Sequence, residues 1–157
     1  MSDEIKITEE CIDLNVTAAN REEVLEHLVA LLEKQGFVDT EYTKKILERE
    51  KNYPTGLCFS KIKIAIPHGD PQYVNESSIA IGRCINKPMF GSMEDPSEQV
   101  GVDIVVLLAV KDPESHLTIL NNLMEMFTIE KNCEVLISGN SNEEVCQLFK
   151  KCLYEKN

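Results

Sequence analysis

Basic residues are scarce in this chain. Against 27 Asp and Glu stand only 16 Lys and Arg, a formal net charge of −11 over 157 residues. A nucleic-acid binder needs a basic footprint, so that class is disfavoured, as is adsorption to anionic lipid. Long apolar runs are also missing. The longest, Ile104 to Val110, is far too short to span a bilayer. The opening Met1-Ser2-Asp3-Glu4 carries no basic region followed by an apolar stretch, so no secretory signal is expected. There is no G-x-x-x-x-G-K-[ST] loop and no G-x-G-x-x-G, so nucleotide binding through those loops has no support. G-x-S-x-G and H-E-x-x-H are absent too. The six cysteines, at 11, 58, 84, 133, 146 and 152, form no C-x-x-C pair, and their spacing fits no zinc ribbon or knuckle. Several lie in apolar runs, where cysteine acts as a small hydrophobe. A reduced, cytoplasmic protein without a disulfide framework is expected.

What is present fits a folded chain. The hydrophobic fraction of 43% is ordinary for a globular protein, and the length suits one domain spanning residues 1–157. Asn20, with Glu23 three residues on, predicts a capped helix whose apolar stripe is Val24, Leu25, Leu28, Leu31 and Leu32, with Gly36 as its stop. A second helix is expected from about residue 39 or 40 to Lys51, with Tyr42, Ile46 and Leu47 inward. Tyr53 to Gly56 reads as a loop, as does Lys87 to Gln99 with its two prolines and glycine. Strands are expected over Ile62–Ile66, Ser78–Ile85 and Val102–Val110, the last apolar enough to be covered on both faces. Asp112-Pro113 opens a helix with Ser115 as a competing cap and an apolar face of Leu117, Leu120, Leu123, Met124 and Phe127. Val135–Ser138 suits a short strand or a helix end equally. Ser141 and Glu144 cap a last helix bearing Val145, Leu148, Phe149 and Cys152. Alternating helices and strands give an α/β class, a mixed sheet flanked by helices.

The most informative stretch is Ile64-Ala65-Ile66-Pro67-His68-Gly69. The isoleucines at 62, 64 and 66 share one face of a strand. Pro67 cannot donate to a sheet ladder and ends it. His68 is thereby presented at a strand end by rigid backbone, and Gly69 lets another molecule's backbone come close. A histidine so placed is either a turn residue or a nucleophile with a neutral ring nitrogen available near pH 7. His116 follows the central strand near a helix start, where it faces either solvent or a site. Arg49, among Glu48, Glu50 and Lys51, is either a solvated helix end or a free cation. Asp70 either orients His68 or caps the turn at Pro71. His27 has no motif around it. A metal hydrolase would need His68 and His116 with a carboxylate, and their spacing matches no ligand motif.

Arg49-Glu50, Tyr53-Pro54-Thr55-Gly56-Leu57, Ile64 to Gly69, and Val105–Val110 before Asp112-Pro113-Glu114-Ser115-His116-Leu117 occur in this order. The order and spacing resemble the enzyme IIA domain of the fructose/mannitol class in the sugar phosphotransferase system. The run through Pro54-Thr55-Gly56 looks most like the galactitol or related polyol branch. The fructose branch more often has a Gly-rich stretch where this chain has Lys61-Ile62-Lys63. The resemblance runs from about Glu9 to Leu153 and implies the enzyme IIA fold and a phosphotransferase with a phosphohistidine intermediate. His68 would accept the phosphoryl group from the histidine-containing phosphocarrier protein. A cysteine of a sugar-specific enzyme IIB on a separate chain would receive it, during uptake of galactitol or a related sugar or polyol. His116 and Arg49 would stabilise the phosphoryl oxygens. No cofactor, metal or nucleic acid enters this scheme, and contact with the membrane would be indirect, through the enzyme IIC transporter. The alternative is a regulatory relative, in which the phosphorylation state of His68 controls a partner without sugar transport.

Overall fold

The computed structural model describes residues 5–154. A five-stranded mixed sheet forms its middle, built from β1 (Ile12–Val16), β2 (Gly56–Cys58), β3 (Lys63–Ala65), β4 (Ser78–Cys84) and β7 (Ile104–Ala109), in the order β1-β4-β7-β3-β2. β1 pairs parallel with β4, β4 antiparallel with β7, β7 parallel with β3, and β3 antiparallel with β2. A separate two-stranded ribbon pairs β5 (Met89–Gly91), inside the segment whose prolines and glycine suggest a loop, with β6 (Gln99–Gly101), which begins where that segment ends. β1 and β2 are likewise strands not anticipated from the sequence.

The apolar residues of the strands divide by parity. Ile104, Val106, Leu108 and Val110 join Ile62, Ile64 and Ile66 in one core. Val105, Leu107 and Ala109 join Ala65 and Ala80 in a second. The two-residue period of the side chains puts these sets on opposite faces of the sheet. Helices α1 (Arg21–Lys34) and α2 (Tyr42–Asn52) supply Val24, Leu25, Leu28, Leu32, Tyr42 and Ile46 to the second core. Helices α3 (Pro113–Met126), α4 (Glu130–Ser138) and α5 (Asn142–Tyr154) supply Ile119, Leu123, Met126, Leu136, Val145 and Phe149 to the first. β7 is therefore covered on both faces, as its near-continuous hydrophobicity requires.

The helix boundaries follow local chemistry. The Asn20 side chain accepts from the Glu23 N–H at 3.0 Å, the Glu23 carboxylate accepts from the Ala19 N–H at 3.2 Å, and Gly36 ends the turn at φ +78°. Asp112 caps α3 by accepting from the Glu114 N–H, and Ser115 donates to that carboxylate and does not compete with it. Val135–Ser138 is the last turn of α4. The buried face of α3 is rotated from the expected one. Ile119, Leu123 and Met126 point inward, while Leu117 is 62% and Met124 37% exposed. The expected stripe mixed positions from both sides of that boundary, because apolar residues occur around most of this helix.

Arg83, on β4, fastens the end of α4 to the sheet. Its Nε donates to the Leu14 carbonyl at 3.1 Å, and its Nη1 to those of Ile137 and Gly139 at 3.1 and 2.8 Å. The Ile137 and Gly139 carbonyls are helix-end acceptors that have no donor of their own within the helix. Arg83→Met keeps the apolar stem but strands the carbonyls, and is expected to cost about 2 kcal/mol of stability. Thermal unfolding should show a midpoint lower by about 5 °C. An unchanged midpoint would mean that water replaces the guanidinium freely.

Candidate functional site

The register of β3 on β7 determines where His68 lies. The two strands run parallel, and β7 continues past the end of β3. The Leu108 N–H donates to the Pro67 carbonyl at 2.8 Å, just past the end of β3. Pro67 has no N–H to continue the ladder. The chain leaves the sheet with His68 at its edge, and the segment after β7 returns over the same edge as α3. His116 stands on the first turns of α3. α2 approaches from the opposite face of the sheet with Arg49 near its C-terminal end. His68, His116 and Arg49 line one open pocket of about 510 Å³, together with Lys45, Tyr53 and Asp70.

The His68 ring is held in one state. Its Nδ1 lies 3.0 Å from the Ile66 carbonyl oxygen. A carbonyl only accepts, so Nδ1 carries the hydrogen and Nε2 keeps its lone pair. The His116 ring stands edge-on to it, with centroids 4.6 Å apart and planes at 79°. Burial, opposed by the hydrogen bond to Ile66, lowers the His68 pKa to about 4, and the nearby His116 and Arg49 charges act in the same direction. Burial, then the Arg49 charge, also lowers that of His116. Both rings are neutral near pH 7. Nε2 of His116 is buried and has no hydrogen-bond partner among the described residues. The Arg49 guanidinium lies over the Tyr53 ring, 5.3 Å from its centroid, with no ion pair among the described residues. Two neutral imidazoles and an unpaired cation thus face one opening in a strongly acidic protein. Such a site suits an anionic group with several oxygens.

Other residues near the site are structural. The Gly69 N–H donates to the Tyr42 hydroxyl at 3.0 Å, which in turn donates to the Leu108 carbonyl at 2.7 Å. A side chain at 69 would meet the Tyr42 ring at 3.1 Å, so the space that glycine leaves is filled by this protein and is not open to another chain. Tyr42 is fully buried, and burial raises its pKa far above the usual phenol range. Asp70 accepts from the Gln72 N–H and caps the short turn at Pro71. His27 lies far along α1 in an exposed pair with Asp13 at 2.7 Å. Cys11, Cys84, Cys133 and Cys146 are buried, Cys58 is exposed, and burial pushes the Cys84 thiol up to about 12. Among the described residues no cluster of His, Cys, Asp and Glu could hold a metal ion, and no helix is long and apolar enough to cross a membrane.

Glu50 and Thr55 received no role from the sequence, yet both are only 3% exposed at the back of the site. The Thr55 N–H and hydroxyl donate to the Glu50 carboxylate at 2.8 and 3.0 Å, and the Thr55 hydroxyl accepts from the Ile66 N–H at 3.0 Å. The available signal was the glutamate in Arg49-Glu50, which follows Ile46 by four residues and so falls on the buried side of α2.

Residues 6–152 match the family model described as "Phosphoenolpyruvate-dependent sugar phosphotransferase system, EIIA 2". The galactitol-specific EIIA component of Escherichia coli K12 is 29% identical over 123 residues, covering 78% of this chain and 81% of that one. The mannitol-specific phosphotransferase enzyme IIA component of Bacillus subtilis 168 is 32% identical over 146 residues, covering 91% and 95%. In structure, the complex of enzyme IIA-mannitol with phosphorylated enzyme IIB-mannitol from E. coli superposes at a TM-score of 0.76, with 28% identity and coverage of 92% of this chain and 97% of that one. The crystal structure of IIA mannitol from E. coli gives 0.75, 29%, 92% and 99%. The mixed sheet flanked by helices is the fold of these enzyme IIA proteins. The chain belongs to the EIIA 2 family of the phosphoenolpyruvate-dependent sugar phosphotransferase system, a family of phosphotransferases that carry phosphoryl groups.

Proposed function

We propose that this chain is one domain that accepts a phosphoryl group on Nε2 of His68 from the histidine-containing phosphocarrier protein. It passes the group to a cysteine of a sugar-specific enzyme IIB. The observation that carries this reading is the single-tautomer His68 ring, with Nδ1 spent on Ile66 and Nε2 free beside His116. The Nε2 lone pair attacks phosphorus in line as the bond from phosphorus to the donor imidazole breaks. The donor nitrogen leaves with its electron pair. The new phosphoramidate is stable enough to carry and weak enough to pass on. Phosphoryl transfer needs positioning and charge stabilisation more than covalent assistance. The unpartnered Nε2 of His116 donates a hydrogen bond to a phosphoryl oxygen, and the Arg49 fork contacts the others.

For the cargo, two kinds of relative supply the reading: one named for galactitol and one for mannitol. The Pro54-Thr55-Gly56-Leu57 run favours galactitol or a related polyol. The surface around the pocket is the docking face for donor and acceptor in turn, and the acceptor reading draws on a IIA protein that forms a complex with a phosphorylated IIB. Membrane association then passes through the transporter that the IIB serves, and the chain itself works in the cytoplasm.

Intact mass after incubation with phosphoenolpyruvate, enzyme I and the phosphocarrier protein should show one acid-labile phosphate on the wild type. A folded His68→Ala should take none. Phosphate retained on that variant would refute the site. His116→Ala should still accept phosphate but about a hundredfold more slowly. Arg49→Lys should slow transfer as well, because a fork becomes a point charge. Wild-type rates in either variant would return that residue to the protein surface.

The neutral ring carries a pH prediction. His68 holds its pKa at about 4 against an ordinary 6.5, so the folded state resists protonation that the unfolded chain accepts. Stability from this residue is complete above pH 6.5 and is lost as pH falls toward 4. NMR titration should find the ring neutral at pH 5, and His68→Gln should lose less stability than wild type across that window. A midpoint near 6.5 would contradict the burial argument.

A further inference from the structure

We propose that Glu50 is a positioning residue for the phosphoryl-accepting nitrogen: it draws the Thr55 N–H out of the β2–β3 ladder and so frees the Ile66 carbonyl to hold Nδ1 of His68. The inference rests on the phosphoryl-carrier reading for its consequence, but on hydrogen-bond bookkeeping for its content.

β2 and β3 pair antiparallel with Gly56 opposite Ala65, Leu57 opposite Ile64 and Cys58 opposite Lys63. In such a ladder, alternate residue pairs exchange two backbone hydrogen bonds. Gly56 turns its carbonyl the other way, to the Met93 N–H at 2.8 Å. Farther along, the Phe59 N–H donates to the Ile62 carbonyl at 2.8 Å. The odd-numbered residues of this strand are therefore those that face β3. Extended by one step, the register sets Thr55 opposite Ile66 as the next exchanging pair. Thr55 N–H would then compete with His68 for the Ile66 carbonyl, which the two donors would have to share.

The exchange does not form. The Glu50 carboxylate takes the Thr55 N–H at 2.8 Å and its hydroxyl at 3.0 Å. The Thr55 hydroxyl, its own hydrogen committed to Glu50, turns a lone pair to the Ile66 N–H at 3.0 Å. It thus replaces the carbonyl that the ladder would have offered. The Ile66 carbonyl is left without a backbone donor, and His68 Nδ1 fills it at 3.0 Å. The Glu50 carboxylate, the Thr55 N–H and hydroxyl, and the Ile66 N–H and carbonyl each find a partner, at the expense of one ladder step. A carboxyl this buried is not needed for packing. Burial, partly offset by the two Thr55 hydrogen bonds, raises its pKa to about 7, and the charges of Arg21 and Arg49 help to hold it ionised. A leucine of similar size would carry no such desolvation cost. Keeping a carboxylate there makes sense if its acceptors divert the strand.

The test is NMR on isotopically labelled full-length protein, with Glu50→Leu and Glu50→Gln beside the wild type. In the wild type, no coupling across a hydrogen bond should connect the Thr55 amide nitrogen to the Ile66 carbonyl carbon. The His68 nitrogen shifts should show a single tautomer with the hydrogen on Nδ1. In Glu50→Leu the Thr55–Ile66 coupling should appear and the ring should become a mixture of tautomers. Phosphoryl acceptance should then fall by about tenfold, the scale of one hydrogen bond. Glu50→Gln, whose amide oxygen can still accept from the Thr55 N–H, should keep the wild-type tautomer and most of the rate. A Thr55–Ile66 coupling in the wild type would overturn the proposal even if Glu50→Leu does not fold. So would a folded Glu50→Leu with an unchanged tautomer. A wild type that takes no phosphate would refute the carrier reading alone, because the tautomer measurements decide the role of Glu50 without it.

Discussion

The hydrogen bond from Nδ1 of His68 to the carbonyl of Ile66, reaching back across Pro67, is the constraint on which the rest of the site depends. It selects one tautomer of a ring that otherwise exchanges between two, and it leaves one nitrogen for chemistry. It exists only because the backbone on either side is fixed. β7, the middle strand of the five, covered by helices on both faces, holds the Pro67 carbonyl through the Leu108 N–H. The Tyr42 hydroxyl bridges the Gly69 N–H to the Leu108 carbonyl. The Thr55 hydroxyl holds the Ile66 N–H from the other edge. Ile66, Pro67 and Gly69 thus leave the sheet with backbone polar groups tied to Thr55, to β7 and to α2.

The electrostatics follow from the same placement. A chain with net charge −11 would repel a phosphoryl group at most of its surface. At this pocket Arg49 and Lys45 bring positive charge, although Glu48 and Asp70 also line it. Burial keeps both histidines neutral, so His68 keeps a lone pair and the ring beside it can donate a hydrogen bond. On the proposed reading, phosphorus bound to Nε2 would meet the same donors as an anion already covalently held. On that reading the site would favour the group in transit without trapping it, which is what a carrier between two partners requires.

The parts of this arrangement legible in the sequence were the local ones. Alternating isoleucines, a proline that ends them and a histidine beyond it all lie within seven residues. The caps at Asn20, Asp112 and Ser141 are similarly short-range. Less legible were short strands whose existence depends on a distant partner. β2 has three residues, and it is a strand because β3 and the β5 segment lie on either side of it. β1 does alternate, as Ile12, Leu14 and Val16, but its pairing with β4 spans some seventy positions. The roles of Tyr42, Glu50 and Thr55 were beyond local reading altogether. Each is defined by a hydrogen bond to a segment 5 to 66 residues away. Gly69 shows the same limit from another side: its bareness reads as access, and the fold uses it to seat a tyrosine ring.

The most direct test of the whole arrangement is to find which nitrogen carries phosphorus. Phosphorylated protein labelled with nitrogen-15 at histidine, observed through nitrogen and phosphorus spectra, assigns the bond to a single ring position. A phosphoryl group on Nε2 of His68, with Nδ1 still protonated, is the result expected if the Ile66 carbonyl governs the site. Phosphorus on Nδ1, or on His116 or His27, would contradict it, because a ring free to offer Nδ1 is not held by Ile66.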